Sequence, residues 1–303
     1  MRPTLILQRT AVRSPARAVH AVLGCASSLL LLLGLQGAPR QALAQTPSPM
    51  QEWQYSSGII LANLFEPTPP RWRVTLGPAV QLQPLYDGAA SYHAEPGPLI
   101  DIRYRNFAYL STGEGLGVDL LHGTHYRAGV SIGYDVGRRE DQDFTHLHGL
   151  GDIAPAPVAK AYASIVLAKV FPLVLRVDAR RYVGGADGGV GDLELYLPLP
   201  GSSRRFVMFA GASMSFAGQR YLQREFGVTA AQSLASGYRP FQPRAGEFAE
   251  GIGFSATAFI TQHWLVDFEG AINRLQDGIR TSPIIQHRVQ RMVTLSTAYM
   301  WTR

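Results

Sequence analysis

From Trp72 to Gln83 the sequence alternates strictly: Trp72, Val74, Leu76, Val80 and Leu82 share one parity, and Arg73, Thr75, Gly77, Gln81 and Gln83 share the other. Successive side chains of a strand point to opposite faces, so such a segment has one oily face and one wet face. The pattern recurs at 99–110, 116–120, 126–136, 158–170, 173–183, 193–197, 206–216, 247–260, 264–275 and 289–301, giving eleven segments with hardly any helical periodicity between them. Tyr126–Val136 is the cleanest, because its outward set holds only apolar or interfacial residues. A patterned piece at Trp53–Leu61 would make twelve. Single-chain bacterial barrels use even strand numbers, so the expected fold is all-β: a transmembrane antiparallel up-and-down β-barrel of ten to twelve strands, twelve favoured. A soluble β-sandwich or lipocalin-like barrel also alternates, with its apolar face turned inward. The glycine-rich opposite face, the near-absence of lysine and the number of segments favour the membrane barrel.

Three regions are expected along the chain. Residues 1–44 read as a cleaved secretory signal peptide: Arg2, Arg9, Arg13 and Arg17, an apolar core from Ala18 to Leu35, then the small-residue site Ala42-Leu43-Ala44. A lipid-attachment reading at Val22-Leu23-Gly24-Cys25 fits less well, since the most apolar part, Leu29–Leu33, follows the cysteine. Residues 45–70 are Pro- and Ser-rich and read as a periplasmic tail or a short first strand; 71–303 is the barrel. No later stretch supplies the ~20 apolar residues a spanning helix needs, the longest candidate, 161–175, being broken by Lys169 and Pro172. Any span must therefore be a closed sheet, which leaves no backbone group unpaired in lipid.

The net charge of +6 misleads, because five of the 28 basic residues lie in the leader while all 22 acidic residues follow it. The remainder is nearly neutral and gives no reason to expect a nucleic-acid partner. The single cysteine, Cys25, leaves with the leader, so neither disulfide nor thiolate chemistry is expected.

A set of turn and loop segments carries a family resemblance. They are Trp72 with Gly77-Pro78, Pro84-Leu85-Tyr86-Asp87-Gly88, Pro96-Gly97-Pro98 before Tyr104-Arg105 and Phe107, and Gly133-Tyr134 with Arg138-Arg139. Leu147-His148-Gly149-Leu150-Gly151-Asp152-Ile153 is the most distinctive; Tyr221, Phe226-Gly227-Val228-Thr229, Ser236-Gly237 and Ser282-Pro283-Ile284 follow. In order and spacing the chain resembles the MltA-interacting protein MipA/OmpV family of Gram-negative outer-membrane proteins, over roughly Trp72 to Tyr299. Glu225 departs from the aromatic the family usually has before Phe-Gly, and Tyr299-Met300-Trp301-Thr302-Arg303 replaces a terminal phenylalanine. The resemblance implies a non-enzymatic barrel of the cell outer membrane, a scaffold joining a lytic murein transglycosylase to a penicillin-binding protein. Other family members are associated with adhesion or osmotic response, and a narrow solute channel or ligand-binding barrel is the alternative.

Two groups of candidate site residues follow. Asp101, Arg103, Arg105, Arg176, Asp178, Arg180, Asp192, Glu194, Asp267 and Glu269 oppose apolar neighbours and are expected to face the lumen, either lining a solute path or filling it with ion pairs. The long connection 219–246 mixes Arg220, Tyr221, Arg224, Phe226, Tyr238, Arg239 and Phe241, a composition of protein-binding hot spots or of an inward plug. The eight aromatics Trp72, Tyr86, Tyr134, Tyr182, Phe259, Trp264, Tyr299 and Trp301 lie near strand ends and suit lipid–water girdles. His122-x-x-His125, His146-x-His148, His263 and His287 lack the partners of a metal site, and no metal or cofactor is expected. Ser296 and His287 have opposite parity, and no Gly-x-Ser-x-Gly elbow exists, so no catalytic residue is assigned. The run Gly184–Gly189 reads as a turn.

Overall fold

A computed structural model describes residues 69–167 and 173–303. The leader, the tail with Trp53–Leu61, and Lys169 lie outside these described residues. Twelve antiparallel strands close into one barrel, each pairing with its sequence neighbours and β1 with β12. They are β1 Trp72–Pro84, β2 Tyr92–Tyr104, β3 Ala108–Ser111, β4 Gly115–His122, β5 Tyr126–Asp135, β6 Ala156–Val166, β7 Val174–Tyr182, β8 Gly188–Pro198, β9 Phe206–Ala217, β10 Gly246–Phe259, β11 Trp264–Leu275 and β12 Val289–Thr302. The seam is in register through Leu76 opposite Tyr299 and Val80 opposite Leu295.

Among the described residues the twelfth strand comes from splitting 99–110, expected as one strand. The chain reverses at Arg105-Asn106-Phe107, with Tyr104 opposite Ala108. Arg105 takes a positive φ of 52°, uncommon for a residue with a Cβ. The half of β2 before Asp101 pairs only with β1 in the ladder, which is where a strand tolerates Pro96 and Pro98.

The two faces of the sheet are inverted relative to a soluble barrel. Outward positions expose Leu116 (64%), Ile132 (64%), Ile252 (63%) and Leu295 (55%), while inward positions bury arginines and carboxylates. Water would not tolerate that exterior as a continuous belt, whereas lipid tails do. Trp72, Tyr134, Trp264 and Trp301 stand exposed on the belt as expected of girdle residues. Tyr86 and Tyr182 do not: both are buried inside (7% and 2%). Tyr182 shares the inward parity of Asp178 and Arg180.

With an even strand count, β1 begins and β12 ends at the same rim, where the connecting turns are short. The opposite rim carries the longer connections, and these fold over the bore. Connection 136–155 forms a 3-10 turn, Glu140–Asp143, and a short helix α1, Phe144–Leu147. Connection 218–245 forms α2, Gln219–Phe226, and α3, Ala230–Ser236. α2 buries Tyr221, Leu222 and Phe226. These pack with Tyr182, Phe248, Leu275 and Ile279 in one apolar cluster that caps the barrel. Gly188 makes room for this: a Cβ there would lie 2.7 Å from the Tyr221 backbone nitrogen. α3 starts at a capping box, Thr229 Oγ1 accepting from Gln232 N at 3.2 Å and Gln232 Oε1 accepting from Thr229 N at 2.9 Å, and ends at Gly237 in the left-handed region. Thr229→Ala removes one of these bonds and is expected to cost about 1 kcal/mol locally. The check is amide exchange, which should quicken over 230–236 and stay unchanged in the strands.

Candidate functional site

Inside the barrel, the inward parity of β2 to β9 builds one ion-paired network. Its hub is Glu114, in the turn after β3, whose side chain is fully shielded from solvent. Glu114 Oε2 lies 3.1 Å from Arg103 Nη2 and 3.7 Å from Arg127 Nη2, and Oε1 lies 3.0 Å from Arg176 Nη1. Since Arg176 belongs to β7, the last contact is a chord inside the bore that passes β4, β5 and β6. Ser111 Oγ accepts from Glu114 N at 2.9 Å and fixes the turn.

Around the hub each guanidinium has a local carboxylate. Asp101 Oδ1 is 3.0 Å from Arg103 Nε, and Asp119 Oδ1 is 2.5 Å from Arg127 Nε. Tyr162 OH donates to the same Asp119 oxygen at 2.5 Å. Arg176 Nε sits 3.5 Å from both Asp178 and Glu194, Arg180 pairs with Asp192, and Ser215 Oγ donates to Asp192 at 2.5 Å. Aromatic rings fill the spaces between. Arg103 and Arg127 lie 5.0 and 5.1 Å from the Tyr109 centroid, and Arg176 lies 5.3 Å from that of Tyr162.

Of the expected lumen charges, Asp101, Arg103, Arg176, Asp178, Arg180, Asp192, Glu194, Asp267 and Glu269 are buried on the inner wall. Asp267 accepts from Thr257 Oγ1 at 2.5 Å, amid Ser255, Thr294 and Ser296 on the hydroxyl-rich wall of β10 to β12. Arg105 departs from the expectation. It is exposed in the β2–β3 turn, with its guanidinium 5.6 Å from the Tyr104 ring, because the strand ends one residue before it. Three network members, Glu114, Asp119 and Arg127, were not among the expected site residues. Asp119 and Arg127 shared the inward parity and could have been found; Glu114, in a turn, carries no parity signal.

The expected partner-contact group divides. Tyr221 and Phe226 are buried (3% and 1%) in the cap, so they are packing residues and not a contact surface. Tyr238 and Phe241 are half-buried against the cluster of Tyr86, Leu147 and Ile284. Arg220, Arg224 and Arg239 remain exposed, Arg239 donating to Thr281 O at 2.8 Å. Beneath the cap lies a small chamber lined by Asp87, Asp135, Arg138, Tyr182, Tyr221 and Glu225. Arg138 Nη1 donates to Glu225 O at 2.5 Å and lies 3.8 Å from its carboxylate. Burial, partly offset by Arg138, pushes the Glu225 carboxyl up to about 8. Burial, reinforced by Asp135, pushes Asp87 up to about 7.

No group of His, Cys, Asp and Glu among the described residues is arranged to hold a metal ion. His146 Nδ1 pairs with Asp143 at 2.9 Å and His148 Nδ1 with Glu140 at 3.1 Å. Ser296 is buried on the inner wall, whereas His287 is exposed in the β11–β12 connection, so the structure does not bring them together.

An apolar exterior around an ion-paired interior, closed edge to edge, defines a membrane-spanning β-barrel. The family model of MltA-interacting protein MipA matches residues 76–301, and the chain belongs to that family. No curated protein sequence matches it. Solved structures with a similar barrel include the NanC porin, at 6% identity and TM-score 0.38, covering 75% of this chain and 98% of that one. The CymD monoaromatic hydrocarbon channel follows at 10% identity and TM-score 0.36, covering 78% and 89%. OprD from Pseudomonas aeruginosa follows at 7% and 0.32, covering 78% and 96%.

Proposed function

We propose that this chain is a closed, non-enzymatic barrel of the outer membrane that acts as a docking scaffold for murein enzymes. The observation that carries the reading is the filled interior: the Glu114–Arg176 chord and the inward seat of α2 leave the bore packed with paired charges and rings. A barrel of this kind offers its ends, not its lumen, to a partner. The family's name, MltA-interacting protein, points to a lytic murein transglycosylase as the first partner, and the resemblance described above implies a penicillin-binding protein as the second.

Outer-membrane barrels keep short turns on the periplasmic side and longer loops outside. In that orientation Arg220, Arg224, Tyr238, Arg239 and Phe241 crown the side away from the murein. Contact with murein enzymes then falls to the short turns, above all Ser202-Ser203-Arg204-Arg205 between β8 and β9. A purified lytic murein transglycosylase is expected to be retained on the refolded, immobilised barrel. Reversing Arg204 and Arg205 to glutamate should weaken retention about tenfold, the scale of a single interface hot spot. Reversing Arg220 and Arg224 should leave it intact. Absence of retention at every salt concentration would reject the scaffold. Discrete conductance steps in a planar bilayer would favour the channel instead.

A further inference from the structure

The two rims of the barrel differ in charge. Turns 105–107, 123–125, 199–205 and 260–263, on the side where β1 begins and β12 ends, contain no aspartate or glutamate. Every connection on the opposite side contains at least one, from Asp87 to Asp277. This rim carries Arg71, Arg105, Arg204, Arg205 and Arg303.

On the arc formed by β11, β12, β1 and β2, this charge meets two aromatic groups. Trp264 and Tyr299 rings are 5.2 Å apart, Tyr299 and Trp301 4.4 Å, and Trp72 and Tyr104 4.8 Å. The strand ends converge there: Arg105 N donates to Arg71 O at 2.9 Å, and Trp72 and Arg303 exchange backbone bonds at 2.9 Å. Arg71 and Arg105 place their guanidinium carbons 6.0 and 5.6 Å from the centroid of the same ring, that of Tyr104. No aspartate or glutamate lies in the turn 105–107 or beside Arg71 in 71–74. Two like charges are thus gathered at one interfacial tyrosine. Arg105 is held there by a left-handed backbone that glycine or asparagine would adopt at lower cost. Beside them Phe107 projects its ring outward, 57% exposed, from the same turn.

We propose that this arc is a binding site for an anionic phospholipid, with Arg71 and Arg105 on the headgroup phosphate and Trp72, Tyr104 and Phe107 against the glycerol and upper acyl chain. A phosphate between two guanidinium groups relieves their repulsion and accepts paired hydrogen bonds. The aromatic groups set the depth at which that phosphate lies in a bilayer. The apolar wall below supplies the surface for the tails.

The test is native mass spectrometry of the full chain, refolded in detergent and offered equal amounts of phosphatidylglycerol and phosphatidylcholine with the same acyl chains. Phosphatidylglycerol should be retained preferentially. Near an anionic lipid surface each arginine is worth about fivefold, so Arg71→Gln with Arg105→Asn should cut that preference about 25-fold. Arg105→Asn alone, which keeps a residue tolerant of the left-handed backbone, should cut it about fivefold without lowering thermal stability. Arg139→Gln with Arg280→Gln, on the opposite rim, should change nothing. Equal retention of the two lipids by the unaltered protein overturns the proposal, as does an unchanged preference in Arg105→Asn. Displacement of the lipid by millimolar glycerol phosphate would show a site for a soluble anion and would equally overturn it.

Discussion

Glu114→Gln is expected to lower the stability of the refolded barrel by about 3–5 kcal/mol, the usual cost of removing one partner from a buried ion cluster. Glutamine keeps the shape but not the charge, and it leaves Arg103, Arg127 and Arg176 sharing a buried space without their common counter-ion. Asp101 and Asp119 still compensate Arg103 and Arg127 in part. Arg176 loses its charged contact at 3.0 Å, while the carboxylates of Asp178 and Glu194 stand farther off at 3.5 Å. The destabilisation should therefore be relieved when Arg176 is changed to methionine in the same protein, a non-additive outcome that an unrelated packing defect would not give. Urea titration of the folded band on an unheated denaturing gel reads both. By contrast, Arg139→Gln breaks only the exposed pair with Asp141 and should leave the midpoint where it is. If Glu114→Gln also left it there, the network would be a bystander and the filled bore would lose its energetic meaning.

How far the sequence could lead is visible in particular residues. Period-two alternation located the walls because burial on one side of a sheet imposes it, and the register of Leu76 with both Ile100 and Tyr299 follows from that alternation on three neighbouring strands. The same rule concealed the β2–β3 hairpin. Tyr104 and Ala108 are four residues apart, so parity is kept across the three-residue turn and the alternation runs through it unbroken. Pro96 and Pro98 hid the first half of β2, since they are poor strand residues unless one edge is unpaired. The helices of the cap had local signals, with Gly218 and Gly227 around α2 and Thr229, Gln232 and Gly237 around α3. At eight and seven residues they are too short to declare a period; tertiary packing of Tyr221 and Phe226 supports α2, whereas α3 buries no residue and rests on its capping box and Gly237. Glu225 stood out only as a departure from its family. Its role, a carboxylate under the cap beside Arg138, depends on two connections meeting 87 residues apart.

That carboxylate makes the cap pH-sensitive, and the sign follows from the direction of its shift. Asp87 and Glu225 have ordinary values of 3.8 and 4.5 and are raised in the folded protein to about 7 and about 8. Burial is the main cause in both, and the single Arg138 guanidinium offsets it only in part. The folded cap therefore binds more protons than the opened one between about pH 4 and pH 8, and its stability falls as the pH rises through that window. At pH 9 both groups ionise beneath α2, next to Asp135, with Arg138 as their shared cation. Opening the cap to water relieves that charge, so limited proteolysis within 218–245 should accelerate between pH 6 and pH 9, by on the order of tenfold for each unit of raised pKa released. Asp87→Asn with Glu225→Gln removes the titrating groups while keeping their volumes. The double variant should be cut slowly at both pH values, with β-barrel heat-modifiability unchanged. A cleavage rate in the unaltered protein that does not vary from pH 6 to pH 9, at constant protease activity, would mean that these carboxyls do not hold the cap down.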